Sequence, residues 1–282
     1  MDTSLEMTDD RPHRATLEEM YGEEALPHGA ADALLDESLG PRGPDMLLDM
    51  AGELGLDERD VVLDAGCCDG RRTAELVRRF GCAAVGVDLV TANLERRHEV
   101  LAAAENVEVV ARMRFGQADV QNLPFTDGSF DAVWCRDMLI HVPDLAAAFR
   151  ECRRVLRPGR WMLVFQMFAT PWLSDDDAGR LFPPLAGLRR NADPDHFEAS
   201  AEEARWTIEH VEHVRSEWRE FGEESGQGRT SQQLLHVARL LREPDRYVAA
   251  MGRAGYEAEV SDSLWGVYQM IGKLSGRVYV LR

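Results

Sequence analysis

Long apolar runs are missing from this chain of 282 residues. No stretch approaches the roughly 20 consecutive apolar residues that a membrane helix requires, so no spanning segment is expected. Positive charge is scarce as well: 32 Lys and Arg stand against 50 Asp and Glu, a formal net charge of −18 at pH 7. Such a surface repels a phosphate backbone and argues against a broad nucleic-acid footprint, while it tolerates a cationic ligand. Cysteines number only 5, and that odd count, mostly inside apolar segments, suits small buried hydrophobes of a reducing compartment better than a disulfide framework. Cys67 and Cys68 are neighbours, but no Cys-x-x-Cys pair or spaced histidines complete a ligand set, so no metal is expected. The first 14 residues are acidic and polar and lack the basic-then-apolar pattern of a secretory signal, which points to a cytoplasmic protein.

What is present is a composition of 45% hydrophobic and 29% charged residues, that of a soluble globular protein. The length suits one large domain, or one domain carrying an insertion. Residues 1–15 read as a mobile tail and 20–39 as a short helix or two. Gly43-Pro44-Asp45 starts a helix whose stripe is Met46, Leu47, Met50 and Leu54. From residue 61 apolar runs alternate with amphipathic stretches. Strands are predicted at 61–63, 83–87, 113–118, 130–134 and 162–168, and helices at 72–80, 91–103 and, through Leu145, Phe149, Cys152 and Leu156, before the last of these strands. That alternation implies a parallel sheet covered on both faces, a doubly wound α/β fold.

Residues 171–244 break the rhythm and show no convincing strand. Ala204, Ile208, Val211, Val214, Trp218 and Phe221 recur at three- and four-residue steps, which predicts an amphipathic helix with Glu209, His210, Glu212 and His213 on its solvated side. Leu234, Leu235, Val237, Ala238 and Leu241 predict another helix, and 222–231 a flexible loop. Tyr247, Val248 and Met251 sit on a helix capped near Gly255, with strands expected at 257–260 and 277–281. The expected organisation is an N-terminal tail and cap at 1–42, a core at 43–170, a helical insertion at 171–244 and completion of the core at 245–282.

The chemistry-bearing segment is VVLDAGCCDG at 61–70, a strand running into a glycine turn that opens a helix. A ligand lying across the carboxyl ends of parallel strands must approach the backbone closely, and glycine leaves the space. Asp88 ends the next strand, at the distance where an acid meets a ribose hydroxyl pair in nucleotide-binding folds.

Here the chain resembles the class I S-adenosylmethionine-dependent methyltransferases, in particular the small-molecule branch. VLDAGCCDG is similar to the family's first motif, an acid followed by GxGxG. VGVDL at 85–89 is similar to its second strand, GQADVQNLPFTDGSFDAVWCRDMLIHVPD at 116–144 to its run through strand four, and VLRPGRWMLVF at 155–165 to its turn into strand five. The resemblance implies a Rossmann-like, seven-stranded, mostly parallel sheet with the last strand antiparallel and a helical lid between strands five and six. It implies S-adenosylmethionine as cofactor and S-adenosylhomocysteine as product. Asp64 and Gly66 would then hold the methionine end, and Gly70 would open the helix. Asp88, beside Leu89, would take the ribose hydroxyls, and Asp119 and Val120 would meet the adenine. Arg136 would present its backbone carbonyl near the amino-acid end.

Cys68 stands where the motif has its middle glycine, and a side chain there must point away or crowd the ligand. In the loop after strand four, His141 reads either as a general base or substrate-orienting group or as a structural histidine, and Asp137 either as a carboxylate facing the substrate or as a partner for Arg136 or a helix-capping group. Trp172, Leu181, Phe182, Trp206 and Trp218 would line or build the lid, with Trp265 and Tyr268 beside the same pocket and Tyr21 and His28 closing over the cofactor. The expected partner is a bulky small molecule of the natural-product type, with no nucleic acid and no membrane, for a monomer or homodimer. A lyase or cyclase that retains the cofactor, and a non-catalytic module on the same fold, are the alternatives.

Overall fold

In the computed structural model the described residues are 16, 28–96 and 107–282. The expected tail at 1–15, Tyr21, the side chain of His28 and the second half of the helix predicted at 91–103 lie outside them. The chain divides into two units, 1–40 and 41–282. In the first, helix α1 spans His28–Leu35.

The second unit is built on seven strands: β1 (Val61–Ala65), β2 (Ala83–Asp88), β3 (Met113–Gln117), β4 (Phe130–Arg136), β5 (Leu156–Ala169), β6 (Ile208–Arg215) and β7 (Leu274–Leu281), in the sheet order β3-β2-β1-β4-β5-β7-β6. The pairs among β1 to β5 are parallel, and β7 runs antiparallel to both of its neighbours. Helices alternate with the parallel strands: α2 (Met46–Glu53), α3 (Arg71–Phe80), α4 (Thr91–Glu95), α5 (Val107–Ala111) and α6 (Leu145–Val155). Helix α3 is bounded by glycines, Gly70 at φ 82° and Gly81 at φ 67°, with the Gly81 amide donating to Val77 O. Asp144 caps α6 by accepting from the Ala147 amide at 2.9 Å.

The pleat sorts β5 between two cores. Trp161, Leu163, Phe165 and Met167 join the cluster containing Leu47, Leu76 and Tyr268, while Met162, Val164 and Phe168 join that of Phe149, Phe197 and Tyr279. Both faces are therefore buried, as the near-continuous apolar strands require. Since β3-β2-β1 runs one way from β1 and β4-β5 the other, the order reverses between β1 and β4. Ligands of open α/β sheets lie in that crevice, outside the carboxyl ends of the strands.

The C-terminal half differs from the pattern expected. After β5 come α7 (Asp175–Leu181), short 3₁₀ turns at Pro183–Leu185 and Arg189–Ala192, and α8 (Pro194–Glu203). The segment read as one amphipathic helix from 204 to 221 is instead the edge strand β6 followed by α9 (Glu217–Glu224). Two register shifts against β7, between Ile208 and His210 and between His213 and Arg215, break the alternation of two. The apolar residues Ile208, Val211 and Val214 recur every three residues, which imitates a helix, although Ile208 and Val211 pack on one core and Val214 on the other. Glu209, His210, Glu212 and His213 accordingly sit on a strand at the sheet edge, where charge discourages further pairing. The insertion thus contributes a strand as well as helices.

The loop expected at 222–231 is mostly helical: only 225–228 separates α9 from α10 (Arg229–Arg242). The strand expected at 257–260 lies inside α11 (Pro244–Met270), and the helix does not end at Gly255 but breaks at Gly252 (φ 77°, ψ 167°) and continues. Its second arm is pinned by buried polar groups, with Ser261 donating to Arg180 O at 3.0 Å, so local propensity is overridden by packing.

Candidate active site

Three loops meet at the carboxyl ends of the strands. The first follows β1. Gly66 has φ 81°, and a Cβ there would lie 2.4 Å from Met138 Cγ, so the residue must be glycine for the loop after β4 to approach. Cys68 is held at φ 51°, a left-handed conformation that costs about 1 kcal/mol for a non-glycine residue. Its side chain is exposed and its amide donates to Asp88 Oδ2 at 2.9 Å. Gly70 leaves room for the Phe115 ring, which would be 2.6 Å from a Cβ. Beneath the loop Asp64 is 2% exposed and accepts from Thr73 Oγ1 at 2.5 Å. Burial raises its carboxyl pKa to about 6, against the pull of that hydrogen bond.

The second loop follows β2. Asp88 Oδ1 accepts from the Val90 amide at 2.8 Å and from Asn93 Nδ2 at 3.2 Å, so its carboxylate ties the first loop to the start of α4. After β3, Asp119 accepts from the Gln121 amide at 2.9 Å and from Gln121 Nε2 at 3.0 Å.

The third loop follows β4. Asp137 sits at φ 53°; its amide donates to Phe165 O at 2.7 Å, and its Oδ1 accepts from the Met167 amide at 3.3 Å. Burial pushes this carboxyl to about 6 as well, with the backbone bond and the charge of Arg136 opposing. The Arg136 guanidinium, whose pKa burial lowers to about 10, lies over the Trp218 ring at 5.2 Å. A 3₁₀ turn, Leu139–His141, then carries His141, whose Nδ1 is 3.1 Å from Ala186 O.

These loops enclose two cavities. One, of about 410 Å³, is lined by Gly66, Asp88, Leu89, Asp119, Val120 and His141, together with Asn93, Gln121, Met138 and Ala186. The other, of about 360 Å³, is lined by Asp137, Ile140, His141, Leu185, Gly187, Asp262 and Trp265. His141 and Leu185 belong to both walls. Both volumes are in the range of small-molecule sites.

Of the residues singled out in the sequence, Gly66, Asp88, Leu89, Asp119 and Val120 come together on the first cavity and Asp137 on the second, with His141 between. Asp64, Cys68, Gly70 and Arg136 are not on either wall. Asp64 and Gly70 support the glycine turn, the Cys68 amide holds Asp88, and Arg136 stacks on Trp218. Trp265 lines the second cavity, but from α11 rather than from a loop after a strand. Tyr268 instead donates to Asp177 Oδ1 at 2.8 Å. Trp172 is exposed, and Trp206 packs on the far core, donating to Phe149 O at 3.0 Å, so neither builds the lid. Phe182 meets Trp265 edge-on, 6.0 Å between ring centres. Asn93, Gln121, Leu185, Ala186 and Asp262 were not foreseen. For Asn93 the signal was available, five residues beyond a strand-end acid.

A family model described as a methyltransferase domain matches residues 63–164. The chain is 31% identical over 230 residues to 27-O-demethylrifamycin SV methyltransferase of Amycolatopsis mediterranei (strain S699), covering 78% of this chain and 81% of that protein. It belongs to the class I S-adenosylmethionine-dependent methyltransferases. S-adenosylmethionine is its cofactor, and small molecules are the acceptors of this branch. The fold is shared with geranyl diphosphate C-methyltransferase from Streptomyces coelicolor A3(2), solved with Mg²⁺, geranyl diphosphate and S-adenosylhomocysteine (TM-score 0.59, 16% identity, 84% of this chain and 78% of that one). It is shared equally with the [4+2]-cyclase SpnF (TM-score 0.63, 22% identity, 84% and 80%). At these identities the likeness is one of fold. Among the described residues no helix is long and apolar enough to cross a membrane.

Proposed function

We propose that this methyltransferase acts on a bulky secondary metabolite, with the cofactor in the 410 Å³ cavity and the acceptor in the 360 Å³ cavity. The observation that carries the reading is the shared wall: His141 and Leu185 border both spaces, so two ligands meet there. The donor set fits the cofactor. Asp88 offers carboxylate oxygens at the end of β2 for a pair of ribose hydroxyls, and Asp119 with the backbone at Val120 offers acceptors to the adenine amino group. Leu89, Val120 and Met138 give the apolar surfaces between which a base lies. The acidic side chains Asp64, Asp88 and Asp137 around the turn suit a cation.

When bound, the cofactor supplies a methyl group on a sulfonium, transferred by in-line displacement. The leaving group needs no activation, so the chain's work is alignment and exclusion of water. Ile140, Leu185 and Trp265 give the acceptor cavity its apolar surface, and the Asp137 and Asp262 carboxyls and the His141 imidazole are the groups on its wall able to take a proton from a hydroxyl or ammonium acceptor. Burial raises the Asp137 carboxyl to about 6, so above that pH it is ionised and able to take a proton, and turnover that uses it should rise with pH through about 6.

The experiment is mass-spectrometric product analysis with methyl-deuterated S-adenosylmethionine against panels of hydroxylated polycyclic and macrocyclic metabolites. One labelled methyl in product per S-adenosylhomocysteine formed supports transfer. Rearranged product with no S-adenosylhomocysteine favours a cofactor-retaining cyclase or lyase. His141→Ala should lower kcat by about 10²-fold at unchanged cofactor affinity if the imidazole is the base; near-normal kcat assigns that role elsewhere.

A further inference from the structure

The turn that separates the two cavities is not anchored by its own strand alone. Leu139–His141 is a single 3₁₀ turn with two internal amide bonds, His141 N to Met138 O at 3.0 Å and Val142 N to Leu139 O at 3.2 Å. The carbonyls of Leu139, Ile140 and Val142 all accept from beyond the turn. All three are taken up by one short segment of the insertion, about 50 residues later. The Asn191 side-chain amide, fully buried, donates both of its hydrogens, to Leu139 O and to Val142 O, each at 2.8 Å. The Leu188 amide donates to Ile140 O at 2.9 Å, and Ala186 O faces His141 Nδ1.

We infer that Asn191 is a positioning residue for methyl transfer: its amide clamps the Leu139–Val142 turn and so fixes the wall between cofactor and acceptor. The chemistry of the pair is specific. A carbonyl-to-carbonyl gap can be bridged by a group with two donors on one planar nitrogen, and among uncharged side chains only Asn and Gln carry one. The remaining Asn191 Oδ1 has no hydrogen-bond partner, nor has Gln166 Oε1. Leaving a buried acceptor unpaired costs free energy, and the amide is kept for its two donors in spite of that cost. The effect reaches the chemistry through His141, Val142 and Ile140, which line the cavities on either side of the turn. A misplacement of about 1 Å at such a wall is enough to lower turnover on the order of 10²-fold.

The inference rests on the assignment of the two cavities to cofactor and acceptor. Its test compares Asn191→Leu, close in shape but without donors, with Phe197→Leu, a core substitution on α8 that lowers stability away from the turn. Affinity for S-adenosylhomocysteine is read by calorimetric titration, turnover by S-adenosylhomocysteine release, and stability by thermal unfolding. The expected result is a tenfold or greater loss in cofactor affinity, in kcat or in both for Asn191→Leu, and less than threefold in each for a Phe197→Leu protein of comparable Tm. In the double variant with His141→Ala, the kcat losses should fall short of the product of the single losses, because both act through one turn. If Asn191→Leu is not recovered folded, Asn191→Ala, which admits a water between the carbonyls, carries the same measurements. Losses below threefold in both affinity and kcat, or no larger than those of Phe197→Leu, make Asn191 a scaffold residue and overturn the inference. Wild-type protein that binds no S-adenosylhomocysteine overturns the cavity assignment and the inference with it.

Discussion

The two cavities are built in different ways. The cavity proposed for the cofactor takes its main walls from the ends of β1 and β2 and from the loops after β3 and β4, each supplying neighbours in sequence: Asp88, Leu89 and Val90, or Ala118 to Gln121. The cavity proposed for the acceptor joins Asp137 to Asp262 and Trp265, and its walls come from the loop after β4, the insertion and the second arm of α11. Strand-end geometry fixes most of the first, and the insertion adds only Leu185 and Ala186 to its wall. The second exists only because α11 returns to cover the sheet. A ligand common to the family can be held by the local pattern, while a ligand particular to this protein meets residues that no local pattern dictates.

Four substitutions would break or sharpen that contrast. The largest effect is expected of Asp88→Ala. It removes the acceptors offered to the ribose and also frees the Cys68 and Val90 amides, so S-adenosylhomocysteine affinity should fall by roughly 100-fold or more in calorimetric titration. Affinity within threefold of wild type would mean that Asp88 only shapes the loop.

Trp265→Ala should do the converse. Steady-state kinetics should give an acceptor KM raised about tenfold, with cofactor affinity unchanged, because the ring lines only the second cavity. Equal losses for both ligands would join what the geometry separates.

Asp64→Asn tests the support beneath the turn. The folded-state pKa is raised from 3.8 to about 6, so between those values the folded protein binds more protons than the unfolded chain, and stability falls as pH rises through that window. The amide does not ionise. Thermal unfolding without ligand should therefore find the variant more stable than wild type at pH 8, by about 3 kcal/mol at most, with the gain vanishing near pH 4. Parallel curves at the two pH values would contradict the raised pKa.

The smallest effect is expected of Cys68→Gly. Relief of the left-handed backbone and the added freedom of the unfolded chain nearly cancel, so Tm should move by no more than a few degrees. Cofactor affinity should be kept or improved up to about threefold, since exposed Cys68 is not on the cavity wall and its amide bond to Asp88 persists.

The same contrast explains what could be read in the sequence. Val61 to Asp64, Gly66 and Asp88 were legible because strand, turn and strand-end acid are short-range features with a fixed physical purpose. Strand β6 was not, because Ile208, Val211 and Val214 are spaced like one face of a helix although they divide between the two cores. Glu257 to Val260 has the local pattern of a strand, yet it lies in the second arm of α11, with Ser261 and Ser263 buried against neighbours a local window does not contain. Trp265 was placed at the pocket on the wrong element. Asn191 gave no signal at all: in sequence it is one polar residue in a polar stretch, and only the fold shows that it is buried under two carbonyls.

The most direct test of the two-cavity account is a crystal structure of the protein with S-adenosylhomocysteine. The account predicts ribose hydroxyls on Asp88, adenine beside Asp119 and Val120, and the sulfur facing the His141–Leu185 wall of the second cavity. A ligand with its sulfur turned from that wall, or with its ribose away from Asp88, would contradict it.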